Sequence, residues 1–114
     1  MKNVEEIRKR YLKDELPVRL GGIAANLARM KSFSSNDNHL EAIESLLDES
    51  KYYIEWTVKD VPVEIQEFLI QIQIQLALWQ VQLIKIWTDN KKRHFFANRA
   101  DRWSQEILKL AGLM

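Results

Sequence analysis

The side chains able to bind a metal or move a proton are few in this chain of 114 residues. It holds two histidines, His39 and His94, and no cysteine. Without cysteine there is no disulfide framework, thiol nucleophile or thiolate metal site. The carboxylates Glu41, Glu44, Asp48 and Glu55 share one face of a helix-length segment. Inward glutamates of a helical bundle can hold a di-iron pair, but that chemistry also needs two Glu-x-x-His motifs. Asn36 stands three residues before His39 and Lys91 three before His94, so neither motif is present. The acidic row reads instead as a solvated face, the usual place of carboxylates. Both histidines read as surface residues. No grouping of serine, histidine and acid suggests a hydrolase, so the expectation is no enzyme, no metal and no cofactor.

One basic patch is concentrated enough to bind an anion: Lys91, Lys92, Arg93, Arg99 and Arg102. Cations at a helix start oppose the macrodipole, so the placement is unfavourable unless something anionic lies near. The candidates are the acidic second helix, a phosphate or nucleic acid. A net charge of +1 and the lack of a nucleic-acid-binding motif favour a solvated or internally paired patch. Gly21-Gly22 lacks the strand and glycine spacing of a phosphate-binding loop. It reads as a point of close packing. Four tryptophans are many for this length. Trp79 and Trp103 fall on inner helical rows and read as core. Trp56 and Trp87 stand near helix ends and read as partly exposed interface residues.

These residues must be positioned by helices, and the stretch Pro62 to Thr88 organises them. It carries only Glu64, Glu67 and Lys85 as charges. One apolar row is Ile65, Phe68, Ile72, Leu76, Trp79, Leu83 and Ile86. A second is Ile70, Ile74, Ala77, Val81 and Ile84. A helix apolar on two sides needs cover on two sides, which predicts a central helix over about 62–88 enclosed by its neighbours. Ile70, Ile74 and Val81, with Trp56 and Trp87, are then candidate interface residues. The run Ile70–Leu76 also alternates as a strand would. The alternation fails at Leu76-Ala77-Leu78-Trp79, no turn residue follows, and no second alternating run offers a partner.

The N-terminal third, from Met1 to Ser32, carries a helical stripe of Val4, Ile7, Tyr11, Leu16, Leu20, Ile23, Leu27 and Met30. Pro17 interrupts it. Either the helix kinks there, or one helix ends at Asp14-Glu15 and another starts with Pro17 in its first turn. SFSSNDN (residues 32–38) is a loop, and Asn38 with Glu41 has the spacing of a capping box. The next helix runs to about Thr57, with Leu40, Ile43, Leu47, Ser50, Ile54 and Thr57 inside. Asp60 and Pro62 suit the start of the central helix, and Thr88-Asp89-Asn90 the start of the last. That last helix turns Phe96, Ala100, Trp103, Ile107 and Leu110 inward. Gly112 is placed as its C-terminal cap, with Leu113 folding back.

Charge is uneven along the chain. Residues 1–33 hold eight Lys/Arg against four Asp/Glu, and residues 34–60 hold two against seven. Residues 89–114 hold six against three. The acidic second helix can therefore lie against the basic first or last helix, within one chain or across a dimer. The N-terminus has no apolar signal core, and Gln and Glu dot the central stretch. The expectation is a cytoplasmic chain that neither spans a membrane nor binds one.

Four stretches together carry a resemblance: LPVRLGGIAANLARMKSFS (residues 16–34), ESLLDESKYYIEWT (44–57), IQLALWQ (74–80) and DRWSQEILKLAGLM (101–114). They resemble a small family of cyanobacterial proteins of about this length with no assigned activity. The resemblance covers most of the chain. It implies a cyanobacterial, cytosolic, all-helical protein and carries over no catalytic residue. The sequence thus predicts an all-α single domain over 1–114, a four-helix up-and-down bundle kinked or broken near Pro17. It predicts a non-catalytic interaction or scaffolding module that binds a protein partner or itself as a homo-oligomer. The alternatives are anion or nucleic-acid binding through Lys91–Arg102 and carriage of a hydrophobic ligand.

Overall fold

Proline divides the first predicted helix in two. The computed structural model describes residues 3–113, the side chain of Asp37 excepted; Met1 and Lys2 at the head of that predicted helix lie outside. Helix α1 is Val4–Lys13 and α2 is Leu16–Phe33, with extended backbone at Asp14 and Glu15 and Pro17 in the first turn of α2. Pro17 has no amide hydrogen to give, and the first turn is where that loss costs nothing.

A short 3₁₀ turn, Asp37–His39, leads into α3, Leu40–Thr57. The capping box expected at Asn38 and Glu41 does not form. Asn36 caps the 3₁₀ turn instead, its side chain accepting from the Asn38 amide at 2.9 Å. A second 3₁₀ turn, Val58–Asp60, leads to α4, Val63–Val81. Asp60 does not cap α4; it accepts from Arg19 at 3.0 Å.

The central rod predicted over 62–88 is also two helices. Its backbone departs from helix at Gln82 (φ −99°, ψ 9°), and α5 follows as Leu83–Trp87. No glycine or proline stands there, so local propensity does not cause the break. The turn at Gln82 instead brings Leu83, Ile86 and Trp87 into the core, where α5 packs on the last helix. That helix, α6, is Asn90–Leu110. Its first turn is capped by Asp89, whose carboxylate accepts from Lys91 N–H at 2.9 Å and Lys92 N–H at 3.2 Å. Its end is closed at Gly112, φ 73°, where the amides of Gly112 and Leu113 donate to the carbonyls of Lys109 and Leu108. Only a left-handed residue closes that double bond pattern, which is why glycine suits the position.

The chain is therefore all-helical, with six α-helices and no strand among the described residues. Four of these helices are long. The other two, α1 and α5, arise from the breaks before Leu16 and at Gln82.

Helix α2 lies between two of the other long helices. It packs on α6 and α3, and α3 packs in turn on α4. Small residues set the α2–α6 approach: Ala24 and Ala100 are buried, and the Ser104 hydroxyl donates to the Ala24 carbonyl at 2.7 Å. Trp79 closes the ring from α4 to α6, its indole 4.5 Å from the Phe96 ring and 5.4 Å from Trp103. Between these helices Ile23, Leu27, Ile43, Leu47, Ile72, Leu76, Phe96 and Ile107 fill the core. Among the described residues no helix is long and apolar enough to cross a membrane.

Candidate interaction surface

The core takes one side of α4 and leaves the other bare. Ile72, Leu76 and Trp79 are buried, as the first apolar row predicts, whereas Ile65 and Phe68 of that row are half-buried and Leu69, outside it, is buried. The second row was expected to be covered, and it is not. Ile70 is 43% exposed, Ile74 58% and Val81 86%, and Ile84 on α5 is exposed as well. Val63 and Leu78 join them. Helices α3 and α6 lie beside α4, and no helix lies over its outer side, which is why the row stays open.

Two other predicted interface residues are corrected. Trp56 and Trp87 are each only 7% exposed. Trp56 belongs to an aromatic cluster with Tyr11, Tyr52 and Tyr53, where the Tyr11 and Tyr53 rings stack at 4.3 Å. Trp87 meets Phe96 edge-on at 6.3 Å and carries the Arg93 guanidinium 5.4 Å above its ring. A position near a helix end did not make either residue a rim residue, because α1 folds over one and α6 over the other.

The basic patch does not converge on one point. Lys91 and Lys92 line a groove between α4, α5 and α6 together with Gln75, Trp79, Gln82, Ile86 and Phe95. Arg102 and Arg99 lie further along with Phe95 and Asn98. Arg99 rests over the Phe95 and Trp103 rings at 5.3 and 5.7 Å. Arg93 faces away from them, toward a groove that contains Lys31, Ser34 and His94, and donates to Asn90 at 3.1 Å. Phe95 is exposed at the centre of the α6 face. Sequence reasoning missed it because Phe96, its neighbour, satisfies the inner row.

The acidic row borders α4 on the opposite flank. Glu41, Glu44 and Asp48 line a groove with Gln80, and Asp48, Tyr52 and Glu55 line another with Gln73 and Ala77. Gln73 also donates to the Lys51 carbonyl at 3.1 Å. The expected pairing of acidic α3 with a basic helix is met only in part. Among the described residues Arg19 pairs with Asp60 at 3.0 Å, just beyond α3. Asn26 of α2 joins Glu49 and Arg29 at 3.1 and 3.0 Å. Glu41, Glu44, Lys91 and Lys92 form no ion pair with another described residue.

His39 Nδ1 lies 3.3 Å from the Phe33 carbonyl oxygen and its ring packs on Phe33. His94 is exposed on α6. Among the described residues no three His, Asp or Glu side chains gather as a metal-binding group. The surface offers hydrophobic contact and surface charge. No protein-family model, curated protein or solved structure matches this chain.

Proposed function

We propose that the chain is a non-catalytic helical interaction module, a bundle of four long helices that binds protein through the outer row of α4. One observation carries the reading. Ile70, Ile74, Leu78 and Val81 stand in solvent on the most apolar of the long helices, although residues of this type are normally buried. Contiguous exposed apolar surface of this kind marks a partner's seat. The carrier reading has less support, since the grooves described here are open and the space between the helices is filled by side chains.

Placing the photo-crosslinker benzoylphenylalanine at Ile74, and for comparison at exposed Glu106 on α6, tests the proposal in extract of the native host. Protein adducts should form at position 74 well above those at 106. Equal yields at the two positions would count against it.

A second reading, anion or nucleic-acid binding on α6, draws on exposed Phe95 lying among Lys91, Lys92, Arg99 and Arg102. Basic side chains around an exposed ring suit single-stranded nucleic acid. Anisotropy with a mixed oligonucleotide pool at low salt tests it, and the triple change Lys91→Ala/Lys92→Ala/Arg102→Ala should weaken the binding, whereas no binding at low salt ends this reading.

A further inference from the structure

The outer row of α4 runs between two faces of opposite charge. At about 100° per residue, Gln73 and Gln80 fall on one flank of that row and Gln75 and Gln82 on the other. Gln80 shares a groove with Glu41 and Glu44 of α3, whereas Gln75 and Gln82 share one with Lys91 and Lys92 of α6. The acidic and basic groups stand at the same end of α4 and are kept apart by the apolar row. Glu41, Glu44, Lys91 and Lys92 make no ion pair with another described residue.

We propose that the occupant of this row is a second copy of the chain. It docks about a two-fold axis parallel to α4, so that α3 of each copy lies against α6 of the other. The proposal rests on the reading of the outer row as an interaction surface. Three observations select this partner and this arrangement. The first is spacing. Residues 70, 74, 77 and 81 of α4 follow steps of four and three, the seam of paired helices. The second is area. Val63, Ile70, Ile74, Leu78, Val81 and Ile84 are all exposed on this side, a run of apolar surface long enough for two copies to bury against each other.

The third is charge, which decides orientation. A two-fold axis relating two facing copies lies in the plane between them. If it runs along α4, the two α4 helices are parallel and left exchanges with right. Glu41 and Glu44 then meet the partner's Lys91 and the partner's Lys92 at the same height. If it runs across α4, the helices are antiparallel and each acidic α3 meets the partner's acidic α3. Opposite charges attract in the first arrangement, and like charges repel in the second.

Sedimentation equilibrium of the full chain from ~1 to ~500 μM reads the association directly. A dimer is expected, with Ile74→Glu weakening it at least ~100-fold by burying a lone charge. Lys91→Glu/Lys92→Glu and Glu41→Lys/Glu44→Lys should each weaken it, and an equimolar mixture of the two should restore it. The chain has no cysteine, so single thiols report orientation. Under copper–phenanthroline oxidation Ile70→Cys and Val81→Cys should each form its own disulfide dimer. Disulfides formed only between the two variants would mean antiparallel helices and overturn the proposal. A monomer at every concentration would overturn it too. If position 74 nonetheless crosslinks to a different protein, the interaction reading survives and only self-pairing falls.

Discussion

One phenol oxygen fastens the first helix to the rest. Tyr11 donates to the Arg19 carbonyl at 2.9 Å and, having spent its proton there, accepts from the Thr57 hydroxyl at 2.9 Å. Burial pushes the Tyr11 phenol well above its ordinary value, and burial together with the nearby Glu49 charge pushes Tyr53 up to about 12. Both phenols keep their protons in the fold after an unfolded chain, near the ordinary tyrosine value of 10.0, has lost its own. The folded state then binds more protons, so stability must fall as pH rises. The contribution is complete below pH 10 and fades as pH climbs through about 12. Urea midpoints followed by circular dichroism should decline across that window, and less steeply for Tyr11→Phe. At the same scale, Asp60→Ala strips buried Arg19 of its carboxylate and leaves it, among the described residues, the Trp56 carbonyl 3.4 Å away. Asp60 is partly exposed, so the loss should be about 1–2 kcal/mol by denaturant titration, short of a fully buried pair.

Elements were legible where the signal is local. Pro17, Asp89 and Gly112 each act within one turn of their own backbone, and each stands where its chemistry predicts. Most inner positions of α3, α4 and α6 follow from helical period alone, but Ile65, Phe68 and Trp103 are only half-buried and Leu110, expected inside, is exposed. The break at Gln82 was hidden, since no residue there forbids a helix. The burial of Trp56 and Trp87, like the exposure of Ile74, depends on which neighbour comes to lie over them. Periodicity says that a row is apolar; it does not say whether anything covers it. Gly22 gives an element-scale prediction. A methyl group there would sit 3.8 Å from Tyr11 and 3.9 Å from Tyr53, ordinary contact distances. Glycine inside α2 costs helix stability without relieving a clash. Gly22→Ala should therefore stabilise by about 0.5–1 kcal/mol, seen as a higher melting temperature. Removing the cap by Asp89→Ala should cost about 1 kcal/mol and loosen the basic first turn of α6.

At the scale of the whole molecule, α4 has one face that the fold needs and one that it does not. Leu76→Ala, in the filled core, should cost about 2–5 kcal/mol. Ile74→Ser, two residues away on the open side, should change the stability of dilute protein by no more than ~0.5 kcal/mol. The two faces separate further with concentration. If the outer row pairs two folded chains, association adds stability to the folded state alone, and that gain grows with protein concentration. A tenfold rise then adds about 0.7 kcal/mol per chain, or roughly 2–5 °C in melting temperature for a chain of this size. The unsubstituted chain should show this shift between micromolar and hundreds of micromolar, measured by calorimetry at fixed salt. Ile74→Glu should melt at one temperature throughout, because its outer face can no longer be buried. A concentration-independent melt for the unsubstituted chain would leave that row without a second copy to cover it.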